Sequence, residues 1–251
     1  MAFANNKFCW YGVISAETAK TQAFFTEVCG WGVETMQMGD EEATMFTAGG
    51  VPFAHLRAPS MGEPGHINAY LRVTDVDAGA ASAAANGGRV IVPPTDIPPG
   101  RFSVVASASG AVFTLFHEAD EGTSHNHPGG AGSIHWTELH SSDLDADVAW
   151  LQAVAGFEIA DMPMPNGMTY KLLKVGQDMA AGAMPGMQAG APSFWLNWVQ
   201  IDDVDAAAAR VKNHGGQVMG DIMDMPGVGR MVVAADPTGV HFGLITPAAK
   251  G

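Results

Sequence analysis

The chain is written twice. Trp10 and Trp136 stand 126 positions apart, as do Gly30-Trp31 and Gly156-Phe157. Asp75-Val-Asp77 and Asp203-Val-Asp205 are 128 apart, and Gly100-Arg101 and Gly229-Arg230, like Gly110 and Gly239, are 129 apart. A nearly constant offset across apolar, turn and charged positions means two copies of one folding unit, which excludes any architecture that cannot be built in duplicate. The polar, turn-forming stretch Glu118 to Ala131 between them reads as a linker. The chain therefore divides into a first domain over 1–118, a linker over 119–131 and a second domain over 132–251.

Periodicity gives the content of each copy. In copy one, Phe8–Ile14 alternates as a strand, Ala16–Val28 has helical spacing, and Gly30-Trp31 stops it. Short strands are expected at Thr44–Ala48 and Pro52–Arg57. A second round follows: strand Ile67–Val73, helix Val76–Ala85 ended by Asn86-Gly87-Gly88, and strands Arg89–Val92, Phe102–Ala106 and Val112–Phe116. Copy two opens with the strand of Gly132-Ser-Ile-His-Trp-Thr-Glu-Leu-His-Ser-Ser-Asp143, capped by Ser141-Ser142-Asp143 before a helix over Asp147–Val154 that ends at Gly156. It continues with Phe194–Ile201, helix Val204–Asn213, and strands near Val218, Arg230–Ala235 and Val240–Ile245. Each copy is thus a βαβββ module repeated. The segments Met162–Gly167 and Met184–Pro192 read as loops, the latter long enough to fold over a cleft.

Charge narrows the partners. A formal charge of −14 and a pI near 4.8 disfavour nucleic acid and anionic membrane, which both select basic surfaces. No apolar run reaches membrane-spanning length and the first residues lack a signal-peptide plan, so the expected location is cytoplasmic. Cys9 and Cys29 lack metal-type spacing and are expected to be reduced and buried. His125 and His127 could chelate a metal, but in a linker they read as solvated surface.

Four βαβββ modules, Asp-Val-Asp-Ala before the second helix of each copy, and Pro226-Gly-Val-Gly-Arg-Met231 followed by Asp236-Pro-Thr-Gly239-Val-His-Phe-Gly243 resemble the vicinal oxygen chelate superfamily. That group holds the glyoxalases, bleomycin-resistance proteins and extradiol dioxygenases, and the chain looks most like its two-domain bacterial members. The resemblance implies an α+β fold in which four modules form two cupped-sheet clefts. It also implies metal ligands on the first strand of each module and on the last strand. Those positions fall on Trp10, Asn68 and Thr114 in copy one, and on Trp136, Leu196 and Gly243 in copy two. Neither set supplies the imidazole, carboxylate or thiolate donors that zinc or iron requires.

Strand alternation offers other chemistry, since Trp136, Glu138 and His140 share one face. If the first and last strands of copy two are antiparallel neighbours, Glu138 comes beside His241, a pair able to act as general acid and base. With His140 or Gln200 it could instead contribute to an offset divalent-metal site, and the third reading is a structural hydrogen bond. Trp10, Tyr70, Trp136 and Trp198 fall on the inward alternation, with Trp195 nearby, and would either line ligand clefts or fill them as core. Arg101 and Arg230 follow matching glycine turns and would clamp a ligand's carboxylate, or hold Asp96 and Asp224 instead. His66, Asn68 and His55 offer a weaker polar cluster in copy one. Methionines concentrated in copy two suit an adaptable apolar surface or core packing.

Three functions remain open on these residues. One is an enzyme of lyase, isomerase or dioxygenase-like type; one is a protein that sequesters a small organic molecule; one is an interaction protein with filled clefts. The molecule would be a monomer with an internal pseudo-dimer, or a homodimer.

Overall fold

The computed structural model describes residues 7–39, 41–60, 62–119, 129–164, 167, 169–186 and 190–249. The histidines at 125 and 127 lie outside these residues, as do 165, 166, 168 and 187–189 of the two methionine segments. The elements are β1 (Phe8–Ile14), α1 (Thr18–Cys29), β2 (Gly32–Met38), β3 (Glu41–Ala48), β4 (Val51–Arg57), β5 (His66–Arg72), α2 (Val76–Ala85), β6 (Arg89–Ile97), β7 (Gly100–Ala106) and β8 (Val112–Glu118). Copy two repeats them as β9 (Ile134–Ser141), α3 (Leu144–Ala155), β10 (Glu158–Pro163), β11 (Thr169–Val175), β12 (Asp178–Pro185), β13 (Phe194–Gln200), α4 (Val204–Asn213), β14 (Gln217–Met225), β15 (Gly229–Ala235) and β16 (His241–Pro247). This is the expected α+β duplication of four βαβββ modules.

Each copy forms one eight-stranded mixed sheet, ordered β2-β3-β4-β1-β5-β8-β7-β6 and β10-β11-β12-β9-β13-β16-β15-β14. Three details depart from the sequence reading. The strand β2 is almost wholly exposed, so no buried alternation announces it. Met162-Pro163 and Met184-Pro185 belong to strands rather than loops, because the first pair lies antiparallel to Tyr170 and Thr169 of β11 and the second lies parallel to His140 and Ser141 of β9. The helix α3 starts at Leu144, since the Asp143 side chain already accepts from Ala146 N at 3.3 Å.

The repeated Asp-Val-Asp-Ala motif has a physical job in each copy. Asp75 and Asp203 cap α2 and α4, accepting from the backbone N–H of Ala78 at 2.9 Å and Ala206 at 3.0 Å. Two residues on, Asp77 takes both Nε and Nη2 of Arg101 at 2.7 and 2.9 Å, and Asp205 takes those of Arg230 at the same distances. Each arginine also bonds a neighbour across its β-ladder, Asp96 or Asp224. The preceding glycines are obligatory, for a Cβ at Gly100 would lie 2.1 Å from the carbonyl oxygen of His117, and one at Gly229 2.4 Å from that of Thr246.

Packing gathers the chain into two compact units, one of Met1–Trp10, Asn68–Ser124 and Thr137–Trp195, the other of Tyr11–Ile67, His125–Trp136 and Leu196–Gly251. In the first unit α2 and α3 are fastened by Ser82 Oγ donating to the Ala153 carbonyl at 2.8 Å and Trp150 Nε1 donating to that of Ala83 at 3.1 Å. In the second, the Arg210 guanidinium bonds the Val28 carbonyl. Phe25 stacks on Trp31 at 4.5 Å beside Phe46, Phe53 and Phe242.

Each unit also holds one buried carboxylate among hydroxyls. In the first, Asp147 accepts from Ser109, Ser141 and Ser193 at 2.5, 2.6 and 2.7 Å. In the second, Asp236 accepts from Thr21 Oγ1 at 2.5 Å and from Thr238 Oγ1 at 2.7 Å. By the duplication, Asp147 corresponds to Thr21 and Asp236 to Ser107. Both carboxylates belong to copy two, and the acid sits at one position of the pair in the first unit and at the other position in the second. A buried charge needs hydrogen-bond donors, and here hydroxyls supply them.

Candidate active site

The strand β9 carries Glu138 and His140 on the same face, as alternation requires, and both are buried. The expected partner of Glu138 is not the one found. Strand β9 runs between β12 and β13, and β16 lies between β13 and β15, so the assumed β9/β16 ladder does not exist. His241 stands exposed at the start of β16, opposite Ala235. The Glu138 carboxylate instead meets His140 Nε2 at 2.9 Å through Oε1 and accepts from the Tyr170 hydroxyl at 2.7 Å through Oε2.

Tyr170 comes from β11, two ladders from β9, and reaches Glu138 across Gly182 of β12. Gly182 is the register partner of Glu138, and a Cβ there would lie 1.8 Å from the Tyr170 hydroxyl oxygen. The glycine makes the space that the phenol fills. The His140 ring stacks on Phe194 at 4.9 Å and 10° between planes, with Phe194 itself 42% exposed. His140 Nδ1 is buried and has no hydrogen-bond partner among the described residues. Copy one has no such group: Gly12 replaces Glu138, and its ladder partner on β4 is His55. Burial, helped by the Arg57 charge, pushes His55 down to about 4 and so holds it neutral.

The remaining candidates have structural partners. In the second unit Trp198 packs with Leu196, Met231 and Ile245, with Trp136, Met225 and Val233 around them. Gln200 Oε1 is 3.3 Å from His135 Nδ1. Arg101 and Arg230 bond the aspartates already named, the second of the two readings that their positions in the sequence allowed. In the first unit Asn68 Nδ2 donates to Thr114 Oγ1 at 2.6 Å, and Tyr70 meets Phe116 edge-on at 6.1 Å. Trp10 is half-buried on β1. His66 Nδ1 sits 2.8 Å from the Pro64 carbonyl oxygen, a backbone partner rather than a polar cluster. Beside them Glu118 and Arg72 form a bidentate pair, and burial pushes the Cys9 thiol up to about 12. The sequence missed Tyr170 and Phe194. The available signal for Tyr170 was Gly182, a glycine inside an otherwise apolar strand, which marks a close approach.

Comparison with known proteins identifies the family of the fold. The glyoxalase/bleomycin resistance protein/dioxygenase superfamily model matches residues 133–244. The protein "Putative glyoxylase CFP32" of Mycobacterium tuberculosis is 30% identical over 248 residues, covering 96% of this chain and 95% of its own. The chain belongs to that superfamily. The anthracycline biosynthesis protein DnrV of Streptomyces peucetius is 27% identical over 273 residues, covering 99% and 98% of the two chains. Among solved structures, the Mn(II)-bound glyoxalase of Novosphingobium aromaticivorans superposes with a TM-score of 0.67 at 20% identity, over 98% of this chain and 83% of that one. The 2,3-dioxygenase LapB of Pseudomonas sp. KL28 gives 0.64 at 14%, over 98% and 94%.

The positions at which the family resemblance places metal ligands do not fit a metal here. In copy two Gly243 faces Trp198 across the ladder, and a Cβ at 243 would fall 2.2 Å from Cε3 of the indole, so the ring stands where a ligating side chain would begin. In copy one Asn68 and Thr114 bond each other. Among the described residues no three His, Cys, Asp or Glu side chains converge as a metal-holding group. No described helix is long and apolar enough to cross a membrane.

Proposed function

We propose that this protein acts on a small organic molecule by metal-independent proton transfer, of lyase or isomerase type, at the Glu138–His140–Tyr170 group of its second copy. One observation carries the reading: a buried carboxylate bridges a phenol and an imidazole whose second nitrogen has no partner among the described residues. Carboxylate, imidazole and phenol are the standard carriers of protons at neutral pH, and a water-poor setting strengthens their interactions. Copy one, with glycine at the matching place, would serve as scaffold.

The test is a screen of enolisable and hydroxylated aromatic compounds for turnover by wild type and Glu138→Gln. Loss of turnover with binding retained supports the proposal; unchanged turnover in the variant sinks it. A second reading is sequestration without chemistry, favoured by the Trp136, Trp198, Met225 and Met231 cluster, a surface suited to a flat apolar ligand. It expects ligand-dependent quenching of tryptophan fluorescence and no product from any compound that binds.

A further inference from the structure

We infer that His140 Nδ1, and not the Glu138 carboxylate, is the atom that meets the ligand, and that it accepts a hydrogen bond and then a proton from a phenol or enol hydroxyl. This inference rests on the proposed proton-transfer reading and assigns its roles. An ionised carboxylate can only accept, so the 2.9 Å contact of Oε1 puts the imidazole proton on Nε2. The other nitrogen then presents a lone pair. Tyr170, donating to Oε2, holds the carboxylate from its far side and keeps it from rotating away. Glu138 and Tyr170 are therefore positioning residues that select the tautomer, as a carboxylate does for any histidine whose second nitrogen has work to do.

Burial makes the lone pair informative. His140 is 3% exposed, and Nδ1 finds no donor among the described residues. A buried acceptor without a donor is costly, and native chains keep few of them. A hydroxyl brought by a ligand would satisfy it. Phe194 covers one face of the imidazole, so the donor approaches in the ring plane, where the lone pair lies, while the exposed Phe194 ring offers a flat apolar surface next to it. In the transfer step the ligand O–H bond breaks, its electron pair stays on oxygen as phenolate or enolate, and an N–H bond forms at Nδ1. The imidazolium so formed is adjacent to the Glu138 carboxylate. Returning the proton to a carbon of the enolate would complete an isomerisation with no other reactant.

The experiment is long-range proton–nitrogen correlation NMR of the full-length, 15N-labelled protein, with and without 4-nitrophenol as probe. The expected result is a His140 signal of the Nε2–H tautomer in the free protein, an Nδ1 resonance that moves on adding the probe, and growth of the nitrophenolate absorption band. In Glu138→Gln and Tyr170→Phe, both close in shape to the native residues, the single tautomer should give way to a mixture. An Nδ1–H tautomer in the free protein, or an Nδ1 signal unmoved at millimolar nitrophenol, overturns the inference. Turnover that needs Glu138 but survives His140→Asn would also overturn it and leave the proposed function standing. The expected tautomer and probe response without turnover of any compound would do the reverse.

Discussion

Gly182→Ala isolates the contact on which the candidate site depends. Alanine is normally the better strand residue by about 0.5–1 kcal/mol, because glycine loses more backbone freedom on folding. Gly182 is not among the glycines at positive φ, so backbone strain does not enter. The new methyl carbon, however, would lie 1.8 Å from the Tyr170 hydroxyl oxygen and 2.3 Å from Cζ. The ring must move, at an overpacking cost of about 1–3 kcal/mol. Its hydrogen bond to the buried Glu138 carboxylate goes with it, costing a further ~1.5–3 kcal/mol. The two penalties outweigh the propensity gain, leaving a net loss of about 2–5 kcal/mol. Urea denaturation of wild type, Gly182→Ala, Tyr170→Ala and the double variant gives the cycle. Because the clash needs the ring, Gly182→Ala should cost much less in the Tyr170→Ala background. An equal cost in both backgrounds refutes the reasoning.

Asp147→Ala should destabilise the protein by about 3 kcal/mol or more, since it strips the buried acceptor from three hydroxyls, two of them buried; denaturant midpoints measure it, and Asp147→Asn should recover part of the loss. His55 has a folded value lowered from 6.5 to about 4, so the unfolded chain binds a proton that the folded one refuses. Stability should therefore fall as pH drops from about 6.5 toward 4, by at most ~3 kcal/mol, and His55→Gln should flatten that slope in denaturation curves at pH 7 and pH 5. Cys9, pushed up to about 12, and Cys29, pushed higher still by burial, should resist a thiol reagent in the native protein at pH 8 and react at once in denaturant.

The duplication and the strand alternation were legible in the sequence because both are local or repeated signals. The periods of two and 3.6 gave the helices and most strands, and the paired Asp-Val-Asp-Ala and Gly-Arg segments showed that each copy closes the same way. They also put Trp136, Glu138 and His140 on one face. What alternation cannot give is the neighbour across a ladder. The order β12-β9-β13-β16 separates Glu138 from the strand of His241, and Tyr170 enters from β11 through a gap left by Gly182. Similarly, that Trp198 lies over Gly243, and that each arginine is spent on two aspartates, follows from register and twist among distant segments. The sequence by itself determined the modules, their number and the face of β9 that Trp136, Glu138 and His140 share. Tertiary structure alone decided which side chains complete that face, because partners from separate strands are chosen by sheet order and close packing rather than by anything adjacent in the chain.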